Sequence, residues 1–465
     1  MSSQSLEKEE AKKNKKNTKL AQKNLKRDIK ERAKQAEQLR RMHDRDIREN
    51  WFKLDNAALI YPAISSTNWN SVYRLSVITK QTVDPDKLQT ALDDTLERYP
   101  FFNVALREGV FWHYFQVLDK KLLIERETTY PCQAFCFNNR TQIFRVLYMD
   151  NKISFETFHS LTDGGGATKF FNTLIIRYFE LCGADFDDLN SFDYNTRDKP
   201  RLEENEDAFK RVATKQKSRG RGEKKAYQVK GNVEPVQKLR TVTGLVDTAM
   251  LKNVAHQYGA TINQILTAVY FQALVMDKKY KNTQRDLPIK ISVPVNMRKF
   301  FPSVTLRNFS QFVNMELPTE QEGADFEQIL ERVRQESKNF NIDYLQGSIN
   351  ANVKSERNFF VRIMPLAVKN FALKIAYSCV GERQFTTTLT NLGLVSLPAK
   401  AREYIEHYFV VLGATKLNKI NLTAVSYGDE CAITFSTRLQ ETAIIRNFFQ
   451  KLVELGLEPK IFSNY

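Results

Sequence analysis

Hydrophobic and polar positions along the chain follow two periods, which predict strands in some segments and helices in others. Apolar side chains alternate with polar ones through Leu147, Ile153 and Phe155, and the dipeptide Asp150-Asn151 between them is typical of a hairpin turn. Over residues 170–178 the apolar side chains recur at helical spacing instead. The chain is therefore predicted to pass from a strand into a helix close to residue 160.

The same signals predict elements in the rest of the chain. Strong turn formers and prolines separate the segments, as expected for alternating strands and helices. The predicted elements are an amphipathic helix over residues 84–99 that Pro100 ends, strands over residues 102–106, 289–295, 422–427 and 431–437, and a helix over residues 441–455 that buries Ile444, Phe448, Leu452 and Leu455.

Length and composition predict two lobes. A chain of 465 residues that is 42% apolar exceeds the size at which one core stops growing, about 250–300 residues. Residues 1–50 lack the apolar content for a core, and residues 197–236 are polar and basic. The predicted organisation is a basic, partly helical or disordered arm (1–50), an amino-terminal lobe (51–196), an exposed crossover linker (197–236) and a carboxyl-terminal lobe (237–465).

The candidate chemistry lies where the strand meets the helix. His159 is followed four residues later by Asp163, and then by Gly164, Gly165 and Gly166. An imidazole takes and returns protons near neutral pH, which suits a general base, and a carboxylate can hold the surrounding loop in place. Glycines leave space for a ligand or another backbone to approach. This combination predicts an active-site turn.

This segment resembles the His-x-x-x-Asp-Gly motif of the CoA-dependent acyltransferase superfamily, which includes chloramphenicol acetyltransferase, BAHD enzymes, peptide-synthetase condensation domains and polyketide-associated acyltransferases. Other blocks of the superfamily have counterparts here in the same order, and together they cover most of the chain from residue 51. They are the helix ending in Arg98-Tyr99-Pro100, residues 259–268, the strand that ends in Asn296-Met297-Arg298, and Thr390-Asn391-Leu392-Gly393.

The resemblance implies an α/β (α+β) fold of two chloramphenicol-acetyltransferase-like lobes, each a mixed sheet with helices, and an active-site tunnel between them. It also implies that His159 is the general base and that Asp163 is structural, with Arg298 as its partner. Many relatives carry a second histidine before the motif, where this chain has Phe158. The catalytic position itself is retained.

Four further residues are candidates for binding. Gly164 and Gly165 are expected to leave room for the acyl donor, and Thr390 and Asn391 to contact substrate or the oxyanion. An Asn-x-Gly sequence is also typical of a turn after a strand, so both interpretations of Thr390 and Asn391 stay open.

The implied activity is transfer of an acyl group from a thioester to an alcohol or amine, without a bound cofactor and with acyl-CoA as co-substrate. An acyl carrier protein is the less favoured donor. A stand-alone bacterial alcohol acetyltransferase is the closest resemblance, because the BAHD block Asp-Phe-Gly-Trp-Gly and flanking synthetase domains are missing from the sequence. A monomer is expected.

Charge and residue spacing bear on metal binding, location and partners. The five cysteines and five histidines match no common metal-binding spacing, and the sequence shows neither an export signal nor a long apolar run, which favours a soluble cytoplasmic protein. A formal charge of +16 suits anionic partners, including CoA, an anionic membrane near residues 1–50, or nucleic acid. Two alternatives remain: a catalytically silent binding module that uses this arm, and a buried structural role for His159.

Overall fold

The computed structural model describes residues 50–65, 71–137, 141–186, 189–214, 223–235, 237–282, 286–377, 381–415 and 417–464. Backbone contacts group the chain into residues 1–52 and 53–465. Of the first unit only residues 50–52 are described, so the predicted arm lies outside the described residues.

The strands of the described residues are short to medium in length. They are β1 (Trp51–Lys53), β2 (Val72–Thr79), β3 (Val104–Glu108), β4 (His113–Val117), β5 (Glu125–Arg126), β6 (Phe144–Met149), β7 (Lys152–Phe158), β8 (Arg240–Asp247), β9 (Ile289–Asn296), β10 (Ser310–Leu317), β11 (Thr387–Leu394), β12 (Ile405–Leu412), β13 (Ile420–Tyr427), β14 (Glu430–Thr437) and β15 (Lys460–Ser463).

The α-helices of the described residues are α1 (Ile60–Ile64), α2 (Pro85–Arg98), α3 (Gly164–Leu181), α4 (Leu189–Phe192), α5 (Ala208–Val212), α6 (Thr248–Gln257), α7 (Ile262–Lys281), α8 (Phe326–Asn339), α9 (Ile342–Arg357), α10 (Phe359–Ile363), α11 (Leu366–Ala376) and α12 (Ala443–Glu454). The predicted helices and strands are confirmed, with one shift. A 3-10 turn over Pro100–Phe102 delays the strand predicted at residue 102 until Val104.

Two mixed sheets organise the chain from residue 53 onward. One has the strand order β12-β2-β7-β6-β5, and the other has the order β10-β9-β11-β13-β14-β8-β15. In the second sheet β11 is parallel to both β9 and β13, and all other neighbouring strands of this sheet are antiparallel. Mixed sheets with helices confirm the predicted α/β (α+β) fold class.

The strand β12 links the two halves of the chain. It lies within the range predicted for the second lobe, yet it pairs antiparallel with β2 at the edge of the first sheet, from Ile405 opposite Thr79 to Leu412 opposite Tyr73. Sequence order alone therefore does not separate the lobes, and the predicted boundaries stay a prediction.

The hairpin β6-β7 positions the active-site turn. Met149 pairs with Lys152, and Asp150 between them adopts a left-handed backbone with φ 51°, which a tight two-residue turn requires. The buried side chain of Glu156 on β7 accepts hydrogen bonds from Arg74 and Arg145, both at 2.7 Å. These charge-assisted bonds tie β7 to both neighbouring strands and hold its register.

Aromatic packing fixes helix α3 on the first sheet. Phe170 on α3 stacks against Phe102 with ring centroids 4.2 Å apart and lies 5.2 Å from Phe155 on β7. All three rings are buried, and each such burial stabilises the fold by roughly 1.5–3 kcal/mol. The same packing sets the direction in which α3 leaves the turn at residue 160.

A second core lies between the larger sheet and helices α7 and α12. Tyr270, Phe435 and Phe448 come from these three elements, with centroid distances of 5.4 Å for Tyr270 to Phe435 and 5.0 Å for Phe435 to Phe448. The tyrosine hydroxyl lies 2.7 Å from the Thr387 hydroxyl on β11, so its polar end is satisfied inside this core.

The segment after residue 196 is partly buried. Glu204 forms two hydrogen bonds with the buried Arg98, at 2.7 and 2.6 Å, and Phe209 and Tyr227 are almost completely buried. The prediction of an exposed linker over residues 197–236 is wrong at these positions. A bidentate ion pair and apolar side chains anchor the segment, while residues 215–222 and 236 lie outside the described residues.

Candidate active site

His159 is the first residue after β7. Its backbone N–H donates to the carbonyl of Ser71 at 2.8 Å, which extends the pairing of β7 and β2 by one step. The residue as a whole is half-buried. His159 therefore stands at the end of a rigid strand without being sealed inside the core.

Asn308 holds one ring nitrogen of His159. The Nδ1 atom lies 3.1 Å from Oδ1 of Asn308, and Nδ2 of the same amide donates to the carboxylate of Asp55 at 3.2 Å and to the carbonyl of Ser160 at 3.3 Å. Because the amide NH2 already has two oxygen acceptors, its oxygen must face the imidazole. Nδ1 then carries the proton, and Nε2 keeps its lone pair.

Asp55 holds Asn308 in place by accepting hydrogen bonds from it. It is fully buried and also accepts hydrogen bonds from the backbone N–H groups of Ala58 (2.8 Å) and Asn308 (3.3 Å). Burial is the main reason that the pKa of Asp55 is raised to about 6, and the Arg307 guanidinium opposes that rise. The three groups form a chain from carboxylate to amide to imidazole.

Two tyrosines enclose the imidazole. Tyr61 of α1 stacks on the His159 ring with centroids 4.6 Å apart, and Tyr73 of β2 lies 5.1 Å away at a tilt of 59°. Burial among these groups lowers the pKa of His159 below its ordinary value, and the hydrogen bonds and the nearby Asp163 carboxylate only partly oppose this. The ring is therefore neutral at physiological pH.

Asp163 faces away from solvent and connects the turn to the second half of the chain. Its Oδ1 accepts from the N–H of Gly166 at 3.1 Å and so caps helix α3. Its Oδ2 accepts from the N–H of Phe309 at 2.7 Å and from NH1 of Arg298 at 2.8 Å. Burial alone would raise the pKa of Asp163, but Arg298 and these N–H donors outweigh it and hold the pKa below its ordinary value.

Arg298 follows β9 and uses its whole guanidinium. Besides Asp163, it donates to the carbonyls of Thr305 (Nε, 3.0 Å) and Arg307 (NH2, 2.6 Å). These carbonyls belong to the loop that carries Asn308. The structure thus brings His159, Asp163 and Arg298 into one network, and the same loop supplies the contact with the imidazole.

The three glycines have different surroundings. A Cβ on Gly164 would lie 2.9 Å from Cδ2 of Leu392, and one on Gly165 would lie 3.1 Å from NH1 of Arg298. A Cβ on Gly166 would collide with the carbonyl oxygen of Leu306. Gly166 is therefore required by a backbone contact, whereas Gly164 borders a flexible side chain of β11.

Thr390 and Asn391 lie inside β11, where the pairing with β13 shifts register between Asn391 and Leu394. Gly393 in this irregularity has φ 75°, and its N–H donates to Oδ1 of Asn391 at 2.8 Å. The Asn391 side chain thus stabilises the bulge. The contact of Leu392 with Gly164 brings this segment beside the start of helix α3.

Several residues of this site had no signal in the sequence. Asn308, Asp55 and Tyr61 belong to no motif, and Asn308 is separated from His159 by 149 positions. A buried asparagine before a strand resembles any other polar residue until the fold places it beside an imidazole.

The described residues contain neither a candidate metal-binding cluster nor a candidate membrane-spanning helix. Within the part of the chain that the structure describes, no group of three or more His, Cys, Asp or Glu side chains is placed to hold a metal ion. Among the helices of those residues, none is both long and apolar enough to cross a bilayer.

Comparison with known proteins identifies the fold. No protein-family model and no curated protein matches the chain. Among solved structures, TRI101 of F. sporotrichioides, complexed with coenzyme A and T-2, matches with a TM-score of 0.61 at 10% identity, covering 88% of this chain and 99% of its own.

Two further solved structures are similar to this chain over most of its length. The polyketide synthase associated protein 5 from Mycobacterium tuberculosis has a TM-score of 0.55 at 12% identity, covering 86% of this chain and 96% of its own. A starter condensation domain of rhizomide synthetase, in complex with C8-CoA, has a TM-score of 0.55 at 14% identity, covering 89% of this chain and 96% of its own. The chain therefore shares the fold of these solved structures, and the predicted fold is confirmed.

Proposed function

We propose that this protein transfers an acyl group from a thioester donor to an alcohol or amine. Acyl-CoA is the favoured donor, and an acyl carrier protein is the alternative. The support comes from the fold, from its neighbours in complex with coenzyme A and C8-CoA, and from the site around His159. A cytoplasmic monomer stays part of this proposal.

The observation that carries the proposal is the arrangement of the His159 ring. Asn308 occupies Nδ1, Tyr61 and Tyr73 restrict the ring, and the residue as a whole is only half-buried. An imidazole that served only the core would be buried with both nitrogens bonded to protein groups. Here Nε2 is left as the basic atom, and a lowered pKa keeps it unprotonated near pH 7.

The proposed reaction is a direct transfer. Nε2 of His159 accepts the proton of the acceptor hydroxyl or amine as that atom attacks the thioester carbonyl carbon. The tetrahedral intermediate then expels the thiolate as the C–S bond breaks, and the imidazolium returns the proton to the sulfur. The products are an ester or amide and the free thiol, and alignment of two bound substrates replaces a covalent acyl-enzyme.

The other candidates have supporting roles in this proposal. Asp163 and Arg298 position the turn, and Gly164 leaves space for the donor. Thr390 and Asn391 both stay candidate oxyanion donors, because Oδ1 of Asn391 accepts from the N–H of Gly393 and its NH2 group is the donor, while Thr390 beside it supplies a hydroxyl.

The test measures release of free thiol from acyl-CoA in the presence of a panel of alcohols and amines. We expect turnover by the wild type, loss in His159→Ala, and no change in His256→Ala, a matched substitution at an exposed histidine. The rate should rise with pH through an apparent pKa below 6.5 and then level off, since the neutral imidazole is the active form. Equal turnover by wild type and His159→Ala would refute the proposal, and no turnover with any donor would favour the silent binding module.

A further inference from the structure

Helices α10 and α11 carry an unusual number of exposed apolar side chains. Phe359 and Phe360 are 67% and 73% exposed, and Phe371 is 67% exposed. Ile363, Val368 and Ile375 are also exposed, each by about half. Scattered single apolar residues are ordinary on protein surfaces, but a contiguous group marks a site of interaction.

The orientation of α11 is inverted relative to an ordinary surface helix. Its Lys369 is only 5% exposed, donates to the carbonyl of Phe111 at 2.8 Å and lies 3.4 Å from the centre of the Trp112 ring. Asn370 also points inward, 3.4 Å from Nε2 of His113. Lys369 and Asn370 thus contact the protein, Lys374 is exposed, and Val368, Phe371 and Ile375 face outward, which a purely aqueous setting does not favour.

The turn between β3 and β4 extends this face. The N–H of Leu366 donates to the carbonyl of Val110 at 2.9 Å, so the turn lies against the start of α11. Val110 is 74% exposed and Phe111 is 45% exposed. We name the following set the outer apolar surface: Val110, Phe111, Phe359, Phe360, Ile363, Val368, Phe371 and Ile375.

The helical part of the outer apolar surface has basic but no acidic side chains. Between Arg357 and Tyr377 the chain contains Arg362, Lys369 and Lys374 but no aspartate or glutamate. Arg357, Arg362 and Lys374 are exposed, and beside the turn Glu108 is exposed as well. An apolar face bordered by basic side chains is typical of a helix that lies in the interface of an anionic membrane.

The outer apolar surface also lies close to the candidate active site. Helix α11 packs against α1, and α1 carries Tyr61, which stacks on His159. A surface that held the protein on a bilayer would therefore bring that site close to the lipid.

We propose that the outer apolar surface docks this protein on an anionic phospholipid bilayer. The proposal concerns residues 110–111 and 359–375, not the basic arm, and it does not depend on the proposed acyl transfer. A second copy of the chain is disfavoured as the occupant, because a twofold contact would bring three exposed basic side chains of each copy together, against one exposed glutamate, Glu108, beside each turn.

The experiment is sedimentation of the full-length protein with vesicles of phosphatidylcholine, alone or mixed with phosphatidylserine, at low and at high salt. High salt screens the basic arm and leaves the apolar contribution. We expect Phe360→Asp combined with Phe371→Asp to weaken binding to the mixed vesicles at least about tenfold, since two phenylalanine side chains no longer enter the bilayer. Replacing Arg362 and Lys374 by glutamine should reduce the preference for phosphatidylserine at low salt.

The matched control is Val453→Asp combined with Met276→Asp. Both residues are exposed on other helices, by 57% and 51%, and the control introduces the same charge. Wild-type binding by the control, with loss in the phenylalanine variant, supports the proposal. Equal binding by all three proteins overturns it. The proposal is also overturned if the wild type binds neither kind of vesicle but forms a dimer, and the phenylalanine variant is a monomer. Because no acyl donor is present, failure of the transfer reaction leaves this result unchanged.

Discussion

Replacing Asp163 by asparagine tests the network that joins the active-site turn to the second half of the chain. The carboxylate accepts from Gly166 through Oδ1 and from Phe309 and Arg298 through Oδ2. An asparagine has one acceptor and one donor at these two positions. Whichever way its amide turns, an NH2 group meets an N–H donor, and Arg298 loses its anionic partner.

The expected cost follows from burial. Asp163 is 2% exposed and the Arg298 side chain 16%, so water cannot easily replace the lost interactions. Breaking a buried ion pair by removing one charge costs about 3–5 kcal/mol. Arg298 keeps its hydrogen bonds to two backbone carbonyls in the variant. The free energy of unfolding should therefore fall by about 3 kcal/mol, the lower end of that range.

The loss should depend on pH. The pKa of Asp163 is lower in the folded state than in the unfolded chain, so its carboxylate stabilises the fold above the unfolded pKa. That contribution disappears as pH falls through the folded pKa. The difference in free energy of unfolding between wild type and Asp163→Asn should therefore be largest at neutral pH and smaller under acidic conditions.

Urea unfolding, followed by circular dichroism at neutral and acidic pH, measures both effects. The control is Asp429→Asn, because Asp429 also faces an arginine, Arg402 at 3.5 Å, but its side chain is 86% exposed. Exposed pairs contribute little, so this variant should stay within about 0.5 kcal/mol of wild type. If Asp163→Asn unfolds at the wild-type urea concentration, the reasoning from burial is refuted.

Two further substitutions test the turn and the imidazole. Gly166→Ala places a methyl group against a backbone carbonyl that cannot move aside, and should destabilise the fold by about 3 kcal/mol in urea unfolding, whereas Gly323→Ala, with open space around it, should not. Asn308→Ala removes the partner of Nδ1 and should lower kcat roughly 5–150-fold with little change in KM, because the imidazole of His159 loses its fixed tautomer. Asn418→Ala removes another buried, hydrogen-bonded amide and should leave kcat intact. A stability loss in Asn308→Ala without a fall in kcat would assign that residue to the fold alone.

Local features of this chain could be predicted because short-range physics determines them. Asp84 and Pro85 start helix α2 by capping and by a preset backbone angle, and Asp163 caps helix α3 in the same way. The Asp150-Asn151 turn specifies its hairpin. The superfamily resemblance supplied what periodicity alone does not, namely the fold and the expectation that Asp163 and Arg298 meet.

Only the tertiary structure decided the rest, because the contacts involved join distant parts of the chain. Asn308 reaches His159 across 149 positions, and β12 leaves its own half to pair with β2. The outward direction of the apolar face of α11 is likewise set by what Lys369 contacts on another segment. Hydrophobic spacing identifies which residues share one side of a helix, but only the packed fold determines whether that side faces the core or the surface.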